Sequence, residues 1–106
     1  MELGLFQLEN LFLNPSRFLF FDLRAESDQQ SPVANEVGGL LKKAERIVSE
    51  NVEEQLRSRK IPVEFPVVLV CADGRSSARL ADQLERAGFT NVYVVAGGVA
   101  GLLAEL

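Results

Sequence analysis

The residue best suited to nucleophilic chemistry in this chain is Cys71, its only cysteine. It follows the apolar run of residues 66–70 and precedes a short loop that contains Gly74. This order predicts a buried strand, a loop and then a helix over residues 77–87, so that the sulfur faces unpaired N–H groups of the helix. Such N–H groups, with a nearby cation such as Arg75, favour the thiolate, the reactive form of cysteine. A structural interpretation competes, because free cysteine is also often buried as a small hydrophobic residue.

The sequence contains no histidine, which limits the mechanisms open to Cys71. A Ser-His-Asp or Cys-His arrangement is excluded, so a nucleophile must be activated by backbone dipoles, by an arginine or by the substrate. A lone cysteine forms no intramolecular disulfide, and the sequence has no cluster of cysteine and histidine that would bind zinc. We therefore expect neither a disulfide within the chain nor a zinc site of this kind.

The charge balance bears on the partners of the protein. The formal net charge is -4 at pH 7, which argues against nucleic-acid binding, because phosphate recognition needs clustered positive charge. No apolar stretch approaches the roughly 20 residues that cross a bilayer, which argues against a membrane role. The apolar residues 3–13 are interrupted by polar ones and follow no basic residue, unlike a signal peptide. A cytoplasmic protein is therefore expected.

Apolar periodicity and turn residues divide the chain into alternating helices and strands of one domain, residues 1–106. Helices are predicted over residues 5–13, 40–59, 77–87 and 99–106, and strands over residues 17–24, 67–71 and 91–95. Residues 25–39 are polar and predict a surface loop with at most a little helix. Gly88 is well placed to cap the helix over residues 77–87. This order predicts a parallel sheet covered by helices on both faces.

Polar and glycine-rich segments follow the ends of the predicted strands. These segments are Asp22-Leu23-Arg24, residues 71–76 and Gly97-Gly98. Because ligands of an open parallel sheet bind beyond the carboxyl ends of its strands, we expect the segments to share one rim, with Cys71 facing the binding site. Asp22 and Arg24 are better explained as paired charges of this rim than as catalytic groups.

The loop after Cys71 has the composition of an anion-binding turn. Gly74 permits a backbone conformation in which successive N–H groups point at the sulfur. Arg75 either adds positive charge near the loop or points into water. Ser76 and Ser77 have a structural alternative, because serine is a preferred helix N-cap.

Together these features resemble a single-domain rhodanese, a module of the thiosulfate:cyanide sulfurtransferase type. The resemblance rests on Asp22-Leu23-Arg24 after an apolar strand, on Cys71-Ala72-Asp73-Gly74-Arg75-Ser76-Ser77, on Ala87-Gly88-Phe89, and on the residues from Asn91 to Gly97-Gly98. It covers most of the chain and is strongest from Pro66 to Gly98. It implies a rhodanese-like three-layer α/β/α fold with a parallel central sheet.

The resemblance also implies an activity. Cys71 would accept a sulfane sulfur from a small anionic donor, thiosulfate or a persulfide, and pass it to a thiol, to cyanide or to a protein acceptor. No metal or organic cofactor would be needed. The substrate-binding loop would consist of Ala72, Asp73, Gly74, Arg75, Ser76 and Ser77. Its backbone N–H groups suit either the thiolate or the persulfide anion, and their local field outweighs the net charge of the protein.

Other functions compete with sulfur transfer. A rhodanese-like binding or regulatory module would keep the fold and the cysteine without useful turnover. Ser76 favours that alternative, because active members commonly have Arg or Thr at this sixth loop position. Phosphatases and arsenate reductases have related loops in which Cys is followed by five residues and then Arg, and Ser77 stands at that position here. A phosphotransferase subunit that carries phosphate on cysteine has a similar loop, but its cysteine normally follows the first strand.

Overall fold

A parallel β-sheet forms the centre of the structure, a computed structural model that describes residues 2–14, 17–25 and 34–106. Its strands are β1 (Glu2–Leu3), β2 (Leu19–Asp22), β3 (Glu45–Arg46), β4 (Val67–Val70) and β5 (Val92–Val95). They lie in the order β1-β5-β4-β2-β3, and each neighbouring pair runs parallel. The parallel sheet predicted from the sequence is confirmed.

Helices cover both faces of this sheet. They are α1 (Leu5–Leu13), α2 (Asn35–Leu41), α3 (Ser49–Ser58), α4 (Arg75–Arg86) and α5 (Gly98–Ala104). Buried side chains of α1, α2 and α5 pack on one face, and those of α3 and α4 pack on the other. The three-layer α/β/α arrangement is therefore confirmed. Among the helices of the described ranges, none has the length and apolar character needed to cross a membrane.

Strand β4 lies in the middle of the sheet and is buried along its whole length. Val68 and Val70 point into the layer of α1, α2 and α5, whereas Val67 and Leu69 point into the layer of α3 and α4. Successive side chains of a strand alternate between its faces, so a strand covered on both sides needs an uninterrupted apolar run. Burial of each such side chain contributes about 1.5–3 kcal/mol. This central strand fixes the point at which Cys71 leaves the sheet.

The single helix predicted over residues 40–59 is wrong. The chain instead finishes α2, crosses the sheet edge as β3 and then forms α3. Leu40 and Leu41 pack in the α1 layer, whereas Val52 and Leu56 pack in the α4 layer on the opposite face of the sheet. One straight helix cannot bury both groups, so the helical spacing of the apolar residues reflects two separate interfaces.

Two further differences concern short or partly described segments. Strand β1 has no counterpart in the prediction, since two residues show no periodicity, yet Glu2 and Leu3 pair with Val94 and Val95 of β5. Residues 26–33, in the middle of the predicted surface loop, lie outside the described residues. Helix α2 begins at Asn35, so the end of that loop is helical.

An ion pair joins β3 to the end of α3. Arg59 Nη1 donates to Glu45 Oε1 at 2.9 Å, and Arg59 Nη2 bonds Glu45 Oε2. The hydrogen bonds from Arg59, helped by its charge, hold the pKa of Glu45 below its usual value and raise the pKa of Arg59 in turn. The pair links β3 to the end of α3, and the connection between these two elements forms a wall of the site described next.

Candidate functional site

Cys71 is the first residue after β4, at the carboxyl end of the sheet. Only 3% of the residue is exposed. It nevertheless lines an open cleft of about 810 Å3 at this edge. The structure therefore places the thiol beside a cavity on the rim at which the sequence predicted a binding site.

Hydrogen-bond donors of the following loop surround the sulfur. The N–H of Gly74 donates to Cys71 Sγ at 3.1 Å, and the N–H of Ser77 donates at 3.4 Å. Ser77 Oγ also lies 3.4 Å from Sγ, where either atom can be the donor. N–H groups that converge in this way form an anion-binding turn. Backbone dipoles thus face the thiol, as the sequence predicted.

The turn at Gly74 starts the helix earlier than predicted. Gly74 adopts a left-handed conformation with φ of 92° and is the N-cap of α4, which begins at Arg75 rather than at Ser77. The prediction that a serine serves as N-cap is therefore wrong. Ser77 lies in the first helical turn instead, where its hydroxyl donates to the Gly74 carbonyl at 3.2 Å. The left-handed turn brings the Gly74 N–H to the sulfur and begins the helix at once.

Helix α5 supports the loop from the other side. The N–H of Val99 donates to the carbonyl of Cys71 at 2.8 Å, and that of Ala100 donates to the carbonyl of Ala72 at 3.0 Å. Gly98 makes this approach possible, because a Cβ there would overlap the Cys71 carbonyl oxygen and lie 2.7 Å from the Gly74 nitrogen. The Gly97-Gly98 pair therefore serves to bring α5 against the backbone of the loop.

The loop residues predicted to bind substrate divide into different environments. Ala72, Asp73 and Ser76 line the cleft together with Cys71. Arg75 does not line it: its side chain is 84% exposed, and its Nε lies 3.6 Å from Asp73 Oδ2. Of the two interpretations of Arg75, the structure supports the one in which it points into water.

Asp22 and Arg24 form an ion pair at the end of β2. Arg24 Nη2 lies 2.9 Å from Asp22 Oδ2, and the side chains of Arg24 and Asp22 are 7% and 2% exposed, respectively. Arg24 Nε and the Arg24 backbone N–H also donate to Asp22 Oδ1, each at 3.1 Å. Arg24 lines the cleft as well. The charge pairing expected from the sequence is present.

The opposite wall of the cleft was not predicted from the sequence. It is formed by the connection from β3 to α3, and its lining residues are Arg46, Ile47, Val48, Ser49 and Glu50. The connection was not predicted, because residues 40–59 were assigned to one continuous helix. A signal was present, because Ser49 followed by Glu50 is typical of a helix start. Helix α3 does begin at Ser49, with Glu50 in its first turn.

Comparisons with solved structures agree with the observed fold. A rhodanese-like domain protein from Staphylococcus aureus is 21% identical, with 95% of this chain and 89% of that one covered and a TM-score of 0.70. A rhodanese homolog from Thermus thermophilus is 22% identical, with 96% and 100% covered and a TM-score of 0.65. A thiosulfate sulfurtransferase from Pseudomonas aeruginosa is 16% identical, with 94% of this chain and 18% of that one covered and a TM-score of 0.70. At these identities the likeness establishes the fold.

Comparison of sequences identifies the family. No curated protein sequence gives a significant match. The family model of the rhodanese-like domain matches residues 8–105, a span that includes β2, β4, the Cys71 loop and all but the first residues of α1. The chain therefore belongs to the rhodanese-like domain family.

Proposed function

We propose that this protein is a sulfurtransferase that carries a sulfane sulfur on Cys71 as a persulfide. The observation that carries the proposal is the environment of the sulfur. Cys71 Sγ accepts hydrogen bonds from the N–H groups of Gly74 and Ser77, and the same residue lines an open cleft. A thiol that is held by fixed dipoles and reached from a cavity suits nucleophilic attack on a small sulfur compound.

The first step loads the enzyme. The Cys71 thiolate attacks the outer sulfur of thiosulfate, a new S–S bond forms, and the S–S bond of thiosulfate breaks with its electron pair leaving on sulfite. In the persulfide anion that results, the negative charge lies on the outer sulfur, which is bonded to Cys71 Sγ. The fixed donors at Gly74 and Ser77, together with the field at the start of α4, stabilise negative charge near this position in both steps.

The second step discharges the enzyme. An acceptor, which is a thiol, cyanide or a thiol of another protein, attacks the outer sulfur of the persulfide. The Cys71 S–S bond breaks, and its electron pair returns to Cys71 as thiolate. Sulfur enters and leaves at the same oxidation level, so the cycle requires no external oxidant, metal ion or organic cofactor.

Intact-mass spectrometry tests this function directly. The protein is incubated with thiosulfate, or with a low-molecular-weight persulfide, and desalted before measurement. We expect the mass of one added sulfur atom, its loss on treatment with cyanide, and the release of thiocyanate. Cys71→Ser is the matched control, because it removes the only thiol of the chain and changes a single atom.

The result that would overturn the proposal is a folded protein that gains no sulfur from either donor. Circular dichroism of the same sample establishes that the fold is present. A protein of that kind would retain the rhodanese-like fold as a binding or regulatory module.

A further inference from the structure

The cleft beside Cys71 is large for an inorganic sulfur anion. Its volume of about 810 Å3 falls within the range of roughly 300–1,000 Å3 that is typical of sites for organic small molecules. The wall opposite the Cys71 loop includes Ile47 and Val48, and Val48 is 58% exposed. The cleft therefore offers both space and apolar contact to an organic substrate.

Of the four charged residues that line the cleft, two are already paired. Arg24 is held by Asp22, and Asp73 lies beside Arg75. Arg46 and Glu50 differ, because neither forms an ion pair with another residue of the described ranges. The Glu50 carboxylate accepts a hydrogen bond from the Ser49 hydroxyl at 3.1 Å. Among the described residues that line the cleft, Arg46 is thus the cation without an ion-pair partner and Glu50 the anion without one.

The sheet register brings Arg46 close to the thiol. Arg46 pairs with Asp22 on β2, and Asp22 pairs with Val70 on β4, directly before Cys71. Adjacent strands lie about 4.8 Å apart, so the Arg46 and Val70 backbones are separated by roughly 10 Å across β2. An organic molecule of a few bonds spans this distance. Glu50 follows in the first turn of α3, on the same wall.

We propose that the cleft selects its sulfur acceptor, and that this acceptor is an organic thiol with both a carboxylate and an ammonium group. This proposal rests on the sulfur transfer proposed above. Arg46 binds the carboxylate, Glu50 binds the ammonium, and the carbon chain lies against Val48. The thiol end is then directed at the persulfide on Cys71. An amino acid thiol or a short peptide thiol has this combination of groups.

The transfer is balanced without a further reactant. The acceptor thiolate attacks the outer sulfur of Cys71–S–SH and forms a new S–S bond. The bond between the two sulfur atoms on Cys71 breaks, its electron pair stays on Cys71 as thiolate, and the proton remains on the transferred sulfur. The acceptor leaves as an organic persulfide.

Both residues also have a structural explanation, and the test must distinguish it from binding of the acceptor. Arg46 lies on an edge strand, where charged side chains discourage edge-to-edge association. Glu50 lies in the first turn of α3, where a negative charge stabilises the helix dipole. These roles predict changes in stability or association, but they predict no preference among acceptor thiols.

Four thiols with different charges provide the test. Protein loaded with sulfur is mixed with cysteine, mercaptopropionate, cysteamine or β-mercaptoethanol, and its discharge is followed by intact mass. Cysteine carries both a carboxylate and an ammonium group, mercaptopropionate carries only a carboxylate, cysteamine carries only an ammonium group, and β-mercaptoethanol carries neither. The ratio of variant to unmodified rate for each thiol cancels its intrinsic reactivity. Arg46→Gln should slow discharge by cysteine and mercaptopropionate about tenfold, and Glu50→Gln should slow discharge by cysteine and cysteamine similarly.

Matched controls lie outside the cleft. Arg17→Gln removes an exposed arginine before β2, and Glu54→Gln removes an exposed glutamate one turn after Glu50 on α3. Neither residue lines this cleft, so both variants should keep the rates of the unmodified protein. Equal effects of Arg46→Gln or Glu50→Gln on all four thiols, or no effect on any, would overturn the proposal.

A second measurement separates this proposal from the proposed function. If Cys71 takes up no sulfur, the proposed function fails, and the acceptor role fails with it. Exchange of the Cys71 thiol with the symmetrical disulfides of the same four thiols then reports whether the cleft recognises their charges. The same charge pattern in the variants supports recognition by Arg46 and Glu50, and its absence rejects it.

Discussion

The donors around Cys71 Sγ are of two kinds. The N–H groups of Gly74 and Ser77 belong to the backbone, so they keep their orientation and do not titrate near neutral pH. The hydroxyl of Ser77 is a rotatable side-chain donor. When the sulfur carries a proton, the hydroxyl can accept from it and donate to the Gly74 carbonyl. When the sulfur is a thiolate, the hydroxyl can turn and donate to the sulfur instead.

Replacement of Ser77 by alanine tests the contribution of this hydroxyl. The residue is fully buried, so water does not readily replace the hydrogen bond to the sulfur that the variant loses. We expect the rate of sulfur loading from thiosulfate to fall about tenfold, while the backbone donors retain the remaining activity. Rapid quenching followed by intact mass measures the rate.

Ser76→Ala is the control for this experiment. Ser76 is exposed in the cleft and makes no hydrogen bond to the sulfur in the described structure. Its loss should change loading less than the loss of Ser77 does. Equal loading rates for Ser77→Ala and the unmodified protein would show that the backbone donors are sufficient.

The loop after Cys71 is held between the end of β4 and the start of α5. The first N–H groups of α5 bond to the carbonyls of Cys71 and Ala72, while Gly98 leaves no room for a side chain between the two segments. Gly98 also has a left-handed conformation with φ of 63°, which is a second reason why glycine is required at this position. The conformation of the loop after Cys71 therefore depends on a helix that contributes no donor to Cys71 Sγ.

Gly98→Ala should accordingly damage both the fold and the loop. A Cβ at this position meets backbone atoms of Cys71, Ala72 and Gly74, which cannot rotate away as a side chain can. We expect a loss of about 3 kcal/mol in the free energy of unfolding, from overpacking and the unfavourable φ together. Denaturant unfolding measures the stability, and alkylation of Cys71 in the folded protein reports the displacement of the loop.

Gly39→Ala is a matched substitution in α2. Apart from its chain neighbours and the backbone of its own helix, no atom lies within 4 Å of a Cβ built at Gly39, and alanine is the better helix former. This variant should be more stable by about 0.5–1 kcal/mol and should alkylate at the unmodified rate. If Gly98→Ala behaved in the same way, the close approach of α5 to the loop would have no consequence.

The elements also show which features the sequence can predict. Helix α1 spans Leu5–Leu13 as predicted, and the run before Cys71 forms β4, because each signal arises within one continuous segment. Gly88 ends α4 as predicted: its φ is 106°, and the N–H of Phe89 returns to the Leu84 carbonyl at 3.0 Å.

The features that escaped prediction depend on contacts between distant segments. Strands β1 and β3 have two residues each, and they are strands only because β5 and β2 offer them an edge. The site was predicted on its Cys71 side, where a local motif encodes it. Its wall at Arg46 and Glu50 follows from the path of the chain around the sheet edge, which no local pattern specifies.

Two apolar layers share the one sheet of the molecule. Leu69 points into the layer with α3 and α4, whereas Tyr93 packs against the layer with α1, α2 and α5. The two layers are not independent, because the same strand β4 contributes alternate side chains to both. We propose that residues 1–106 form a single domain, and its two layers should then unfold together.

The substitution Leu69→Ala tests this coupling. Leu69 is fully buried, so its truncation should lower the free energy of unfolding by about 3 kcal/mol. Tyr93 is the only tyrosine, and the chain has no tryptophan, so intrinsic fluorescence reports the layer opposite the substitution. We expect the fluorescence transition and the circular dichroism transition to shift by the same amount.

Leu13→Ala is the control for this experiment. It removes a leucine that is 81% exposed and should change the free energy of unfolding by less than about 0.5 kcal/mol. A fluorescence transition that stayed in place while circular dichroism shifted would mean that the α1 layer folds without the α4 layer.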